Sequence, residues 1–591
     1  MHLLLLLLIF GAVVAAMSSS VPDLPGRAAL IVSPQGYLVE ELEGDPVTRA
    51  FAELRGEPLL QTRVRDIERA LELAGDDDAI EAVVLDLDGL FGGGLTKLDA
   101  VARAVSEFRA SGKPVYATGV FLSQQAYYIA AHADEIWLNP EGGLLFEGYG
   151  RYANYYAEAI DKLDIDWNVF RVGSYKSFAE PFMRNDMSAE DREATTAWLG
   201  DLWDSYREQV AAARGIDAAV IDRFAGELHT MLGDDGAGFA ELARSEALVD
   251  ELLPRSEVTA RMRELVGEGP DDSLSYNSVA MERYLEAKEL LGAVTNGSER
   301  KVAVVVASGP VVPGSAPAGQ IGGDSTAELI RRAAADDDVA ALVLRIDSGG
   351  GSVVAADLIV QQLNAFRASG RPVVASMSSV AASAGYWMAA PADRIFALPT
   401  TITGSIGVVA MIPTFEDSLA RLGITTDGVG TTPLAGQFRP DRSLNEEARA
   451  LVQRYVEYDY ARFIGEVAQY RGMELSAVND VAQGRVWSGQ DALPLGLIDE
   501  FGDLSAAVEA AAALAELGED YRVDYVEPPL SPLAEIVLGL TGAAAHLNAG
   551  GAIAPRSAAE RLLNGIGNQL EALARFRDPR GIYSVCFCEI R

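Results

Sequence analysis

Cysteine is nearly absent: Cys586 and Cys588 are the only two, both close to the C-terminus. That excludes a disulfide framework and a cysteine-built zinc site. Histidine is almost as scarce, at His2, His132, His229 and His546, and the six lysines end at Lys301. Positive charge is short overall. The chain carries 48 Lys+Arg against 86 Asp+Glu, a formal net charge of -38. No nucleic-acid partner is expected, because a phosphate backbone calls for a basic face. A comfortable bilayer span is also missing, since it takes roughly 20 apolar residues. The N-terminal run Leu3–Met17 falls short of that. Its length suits an export signal or short membrane anchor, and Ala15 and Ala16 would permit cleavage. Only Met1 and His2 precede it. The basic start of such a signal is therefore missing, which leaves open a true start further upstream. A second apolar region, Leu530 to Ala554, is interrupted by Gly, Pro, Asn and His546 and reads as packed helix and loop.

What is present is a large globular chain of 591 residues, 49% hydrophobic and 23% charged, too long for a single core. It is organised by an internal repeat. FRASGKPVYA at Phe108–Ala117 recurs as FRASGRPVVA at Phe366–Ala375, an offset of 258. Asp76–Asp88 pairs with Asp336–Asp347, Ala131–Pro140 with Ala390–Pro399, and Leu248–Glu251 with Leu497–Glu500. Four segments follow: 1–26, a leader or anchor; 27–296, the first repeat; 297–529, the second; and 530–591, a tail with helices. Within each repeat, short Val/Ile/Leu runs alternate with amphipathic stretches. This predicts an α/β fold with parallel sheets and crossover helices. In such folds the active site lies in the loops at the C-terminal ends of the strands.

The two copies differ where chemistry would sit. In the second, a strand ending LVLRID runs into SGGGS, Ser348–Ser352, and then a helix. A glycine-rich turn there exposes backbone N–H groups that can hold an oxyanion, though it is equally a tight turn. The next strand leads into VAASAGYW, which sets Ser383 at a strand-to-helix transition among small residues. Such a serine is an approachable nucleophile or an ordinary helix cap. At the same offset the first copy has Gln125 in the Ser383 column and Glu147 opposite Ser405 of TGSIG.

A nucleophilic serine needs a base. The histidines offer no triad, which leaves lysine. Since none follows Lys301, the lysine must come from outside the sheet-forming part of the second copy. Lys176 stands out in FRVGSYKSFAEPF, with Pro433 or Leu434 of the second copy opposite it. Nucleophile and base would then be divided, one to each copy. The other lysines read as solvated. Glu180, four residues on, is the carboxylate that would oppose deprotonation of Lys176.

The motifs GSYKSFAEPF, RIDSGGGS, AASAGYW, TGSIG and GRVWSGQDALPLGLIDEFG together resemble the signal peptide peptidase A (protease IV) family, in its long form. The resemblance runs from about Arg27 to the end. It implies tandem ClpP/crotonase-like domains and a membrane-bound serine peptidase with a Ser–Lys dyad. It makes Ser383 the nucleophile and Lys176 the general base. Gly350 and Ala384 become oxyanion donors, and Ser405 holds the lysine amine. The family usually has proline where this chain has Gly349. No cofactor or metal is implied. The expected substrates are apolar extended peptides such as cleaved signal peptides. The expected assembly is a homotetramer on the bacterial inner membrane, its catalytic part on the periplasmic side. Competing readings are a quality-control peptidase for misfolded exported proteins, a degenerate membrane scaffold, and a crotonase-like acyl-CoA enzyme.

Overall fold

The computed structural model describes residues 24–55, 59–232, 238–269, 275–290, 299–529, 578, 581–586 and 588. The apolar run Leu3–Met17, the region Leu530 to Ala554, His2 and His546 lie outside the described residues. Among the described residues no helix is long and apolar enough to cross a membrane.

Each repeat builds its own sheet. In the first, the strands run in the order Ser278–Ala280, Ala28–Val32, Ile80–Asp86, Val115–Leu122, Glu135–Leu144, Glu251–Leu252, and every neighbouring pair is parallel. In the second, the path is Val486–Ser488, Ile402–Gly404, Val373–Ala382, Val339–Ser348, Lys301–Ser308, Arg522–Tyr525, parallel except at the Val486–Ser488 edge. Helices cover both faces, so the central strands are buried throughout; eight consecutive residues from Val339 to Ile346 are all buried. This explains why they read as continuous apolar runs with no alternation. Crossover helices Leu95–Ala110 and Val353–Ala368 occupy matching places. So do two 26-residue helices, Ala189–Arg214 and Glu446–Arg471, each closed by a left-handed glycine.

A third sheet joins the parts. Its order is Ile321–Gly322, Val311–Val312, Gly350–Ser352, Ile582–Val585, Val408–Thr414, Asp166–Val172. It therefore draws strands from the first repeat, the second repeat and the C-terminal tail. Asp166–Val172 lies antiparallel to Val408–Thr414 over seven registered pairs. Between the copies run two ion pairs of opposite sense: Glu40 with Arg345, buried, at 2.7 Å, and Lys97 with Asp347, partly buried, at 2.5 Å. Val380, Ala382 and Ile402 of the second copy complete the core of the first.

Candidate active site

The strand Val373–Ala382 ends at Ser383, and the helix Ala384–Ala389 begins after it. Ser383 has φ 61° and ψ -118°, a conformation unusual for a residue with a side chain. Its hydroxyl makes no capping bond to the helix. The cap reading is thereby set aside, and the hydroxyl is free for other partners. Two backbone bonds hold the turn: Ser383 N–H donates to Gly404 O at 2.8 Å, and Trp387 N–H donates to Ser383 O at 2.9 Å.

Lys176 arrives from the other copy. The strand Asp166–Val172 runs along Val408–Thr414 and delivers the turn that follows it to the second sheet. Tyr175 N–H donates to Gln483 O at 2.9 Å, which pins the loop. Gly484, with φ +79°, lies so close that a Cβ there would stand 2.7 Å from the Lys176 backbone. Glycine is what permits this approach. The lysine side chain is buried, with 1% of the residue exposed. Its Nζ lies 2.7 Å from Ser383 Oγ, 3.0 Å from Ser405 Oγ and 3.0 Å from Ser405 O. Burial pushes the Lys176 amine well below the ordinary lysine range, because the charged form loses its hydration. Glu180 does not counter this. Its carboxylate accepts from Ser188 N–H at 3.0 Å and faces Arg171 at 3.8 Å.

Ser405, with φ 51°, is fixed by its N–H donating to Arg485 O at 2.6 Å. Gly350 and Ala384 lie on either side of the nucleophile. A Cβ added to Gly350, where φ is +100°, would meet Ala384 N at 2.8 Å and Ser383 Cβ at 3.0 Å. The Gly350 turn thus packs against the Ala384 nitrogen and the Ser383 methylene. The Gly350 N–H donates to Ser348 Oγ at 3.1 Å. Gly349, where the family usually has proline, offers its carbonyl to Cys586 N–H at 2.7 Å.

The arrangement is a buried amine on a strained serine beside the Gly350 turn, with no histidine in reach among the described residues. His132 bonds to Tyr128 O at 2.9 Å in the first copy, and His229 lies beside Thr230. The profile of Peptidase family S49 matches residues 107–268 and 365–518, more than half of the chain. This protein belongs to peptidase family S49. It is a serine endopeptidase. Protease 4 of Salmonella typhi is 35% identical to the S49 chain over 566 residues, covering 95% of this chain and 90% of that relative. Protease 4 of Haemophilus influenzae is 34% identical, covering 95% and 91%. The chloroplastic serine protease SPPA of Arabidopsis thaliana is 29% identical, covering 79% and 68%.

The two matched segments of the S49 chain fit the duplication, and the structure corrects one residue in it. Tyr127 donates its hydroxyl to Leu248 O at 2.6 Å, and Tyr386 does the same to Leu497 O at 2.9 Å. Counting back three residues from each sets Gln124, and not Gln125, against Ser383. The second copy has one more residue between the shared FRASG segment and this tyrosine. The register of the second sheet shifts within this stretch, from Ile346–Met377 to Ser348–Ala381. Gln124 is buried and accepts from Glu147 N–H at 3.1 Å and Gly148 N–H at 2.8 Å.

Two further sequence expectations change. Lys97 is buried, not solvated, and pairs with Asp347 and Ser379. Lys301 is also buried, against Asp336 at 2.6 Å. Both serve ion pairs away from Ser383. One site residue escaped sequence reasoning altogether. Ser584 Oγ is 2.6 Å from Ser383 Oγ. Only a short apolar stretch after Gly581 hints at a strand there, and nothing in it points to the site. Cys586 and Cys588 beyond it are bonded to each other.

Proposed function

We propose that this S49 peptidase works through a Ser–Lys dyad, with Ser383 as nucleophile and Lys176 as general base. The observation that carries the reading is the 2.7 Å contact between a buried amine and the serine hydroxyl. An ordinary lysine titrates at about 10.4 and is charged at neutral pH. A desolvated one is poised to accept a proton. The two Ser405 oxygens orient the amine so that its lone pair faces Ser383.

Ser383 Oγ attacks the scissile carbonyl carbon as its proton passes to Lys176 Nζ. Negative charge moves to the carbonyl oxygen, where the Gly350 and Ala384 N–H groups receive it. For this the Gly350 N–H turns from the Ser348 hydroxyl. Each such donor typically contributes about 2.7–4 kcal/mol to the transition state. The C–N bond then breaks, and Lys176 returns the proton to the leaving amine. Water attacks the acyl ester, Lys176 takes its proton, and the acid leaves as Ser383 is restored.

The substrate class is extended apolar peptide, cleaved signal peptides above all. The antiparallel edges of Gly350–Ser352 and Val408–Thr414 suit strand addition. The apolar run at Leu3–Met17 supports a place at the bacterial inner membrane, with the catalytic part on the extracytoplasmic side.

The assembly is a closed ring, four subunits by resemblance. Its support is the repeat itself. The Asp166–Val172 strand pairs within the chain, while the matching stretch of the second copy, 425–431, is exposed and outside any strand. Head-to-tail pairing of that stretch with the next subunit would repeat the internal contact.

The test is hydrolysis of an apolar fluorogenic peptide by the wild type, Ser383→Ala and Lys176→Ala. Only the wild type is expected to cleave. Wild-type rates in Lys176→Ala would put the base elsewhere, and wild-type rates in Ser383→Ala would end the proposal.

A further inference from the structure

The turn Gln483–Arg485 of the second copy touches both halves of the site through its backbone. Arg485 O accepts from Ser405 N–H at 2.6 Å, Ile406 O accepts from Gly484 N–H at 2.8 Å, and Gln483 O accepts from Tyr175 N–H at 2.9 Å. The first two bonds hold the segment that carries Ser405. The third holds the turn that carries Lys176. Gln483 stands at φ 56°, a left-handed conformation that a side chain seldom adopts. Its amide donates to Asn479 Oδ1 at 2.8 Å and to Tyr460 Oη at 3.0 Å, which ties the turn to the helices Leu475–Val481 and Glu446–Arg471.

Those main-chain bonds would form with any side chain at position 485. What arginine adds is a tie between the copies. Its guanidinium carbon stands 4.3 Å from the centre of the Trp487 ring and 4.9 Å from the centre of the Tyr175 ring. Trp487 is steadied by its indole N–H, which donates to Val481 O at 2.8 Å. Two guanidinium nitrogens meet the two Glu193 oxygens at 2.9 and 2.8 Å. Hydrogen bonds from Arg485 first, and from the Tyr175 hydroxyl as well, hold the Glu193 carboxyl below the usual carboxylate range. Glu193 is 54% exposed, so water screens this ion pair and it adds little. The stack is the stronger tie, since a flat guanidinium lies against aromatic faces as an ammonium cannot. Tyr175 directly precedes Lys176. A ring held on the outside therefore fixes the backbone from which the amine points inward.

The amine depends on that closure. It bonds to Ser383 Oγ and to the two Ser405 oxygens, and among the described residues no charged group bonds to it. Burial alone lowers its titration. A loosened turn admits water, and the amine then returns towards the ordinary lysine range.

We propose that Arg485 is a positioning residue for proton transfer: its carbonyl sets Ser405, and its guanidinium, against Tyr175 and Trp487, sets the turn that presents Lys176. This rests on the dyad reading for Ser383 and Lys176.

The experiment follows hydrolysis of an apolar fluorogenic peptide against pH. It compares the wild type, Arg485→Met, Arg485→Lys, Tyr175→Ala, Tyr175→Phe and the double variant Arg485→Met/Tyr175→Ala. Alongside it, the six lysines are labelled with carbon-13 at Cε and titrated by NMR in the wild type, Arg485→Met and Tyr175→Ala. The signal missing from Lys176→Met is that of Lys176. The expected kcat is about 100-fold lower in Arg485→Met and Tyr175→Ala with KM within about twofold, because a displacement near 1 Å costs about that much. Arg485→Lys, which keeps the charge and loses the plane, should fall about tenfold. Tyr175→Phe should recover most of what Tyr175→Ala loses, and the double variant should be no slower than the slower single one. The rising limb of kcat and the Lys176 signal should both move to higher pH in Arg485→Met and in Tyr175→Ala. Losses that multiply in the double variant overturn the proposal, as does a fallen kcat with the pH profile and the Lys176 signal unmoved; either result leaves Arg485 a support of the fold alone. A kcat within about threefold of wild type in Arg485→Met overturns it too. Should Arg485→Met fail to fold, Tyr175→Ala, which trims a half-buried ring of the first copy, carries the same comparison. If Lys176→Met cleaves at the wild-type rate while the Lys176 signal still moves in Arg485→Met, the clamp on the turn stands and the dyad reading falls.

Discussion

Gln124 and Ser383 hold matching places in two copies of one fold, and they solve opposite problems. Before Gln124, Ser123 sits at an ordinary extended φ of -66° and caps its helix by accepting from Ala126 N–H. The glutamine amide then closes on the Glu147 and Gly148 amides, so every polar group has a partner. Ser383 has none of that ease. It stands at φ 61°, caps nothing, and points its hydroxyl at a buried amine. The difference teaches where strain belongs: the copy with Gln124 has a capped turn, and the copy with Ser383 keeps the costly geometry.

That contrast can be broken directly. Ser383→Gln, which imports the residue of the first copy, is expected to lower kcat on an apolar peptide by a factor on the order of 10⁴ or more while the far-ultraviolet spectrum stays native. Activity within tenfold of wild type would mean the two positions are not functionally distinct.

The seam between copies comes next. Burial would raise the Glu40 carboxyl, but Arg345 beside it and the bond from Ser378 hold it down to about 2. Its contribution is thus present above the ordinary carboxylate value and is lost as pH falls through the lowered one. Glu40→Ala leaves the Arg345 guanidinium buried without its carboxylate and should cost about 3–5 kcal/mol in urea unfolding at pH 7. A loss under 1 kcal/mol would show that the seam rests on packing alone.

A smaller effect is expected at the plug. Gln124→Ala leaves two buried N–H groups without their acceptor and should cost about 1–3 kcal/mol of stability. Peptidase activity at 25 °C should be unchanged. Lost activity in a folded variant would mean that the first copy shapes the site more closely than its contacts suggest.

The last comparison sets Lys176 against a neutral side chain. Below the ordinary lysine value the unfolded chain binds a proton that the folded site resists, so folding stability rises with pH across that window. Lys176→Met should therefore unfold at higher temperature than wild type at neutral pH, with the gap closing as pH approaches the ordinary lysine value. Wild-type hydrolysis should meanwhile rise with pH through the depressed titration. A melting gap that does not change with pH would argue against a desolvated amine.

Much of this was readable beforehand, because duplication supplies its own control. The shared FRASG and LVDE/LIDE segments aligned the copies, at offsets of 258 and 249, and the absence of lysine after Lys301 narrowed the choice of base. What stayed hidden follows from distance and register. A fixed offset cannot register an extra residue, so Gln125 stood where Gln124 belongs. Composition around Lys97 gives no sign that Asp347 lies across a seam 250 positions away. Ser584 reaches the site only because an antiparallel strand threads between two others. No local pattern announces such a partner.

The Lys176–Ser383 contact joins atoms 207 residues apart in sequence. Neither half of the chain contains both, and the lysine strand has no sheet to join until Val408–Thr414 exists. If the proposed pair does the chemistry, a chain still emerging carries no working peptidase, however well its first half has folded. High contact order, which slows folding, would then act as a timer: proteolysis would begin only once synthesis has passed the second copy and the halves have docked.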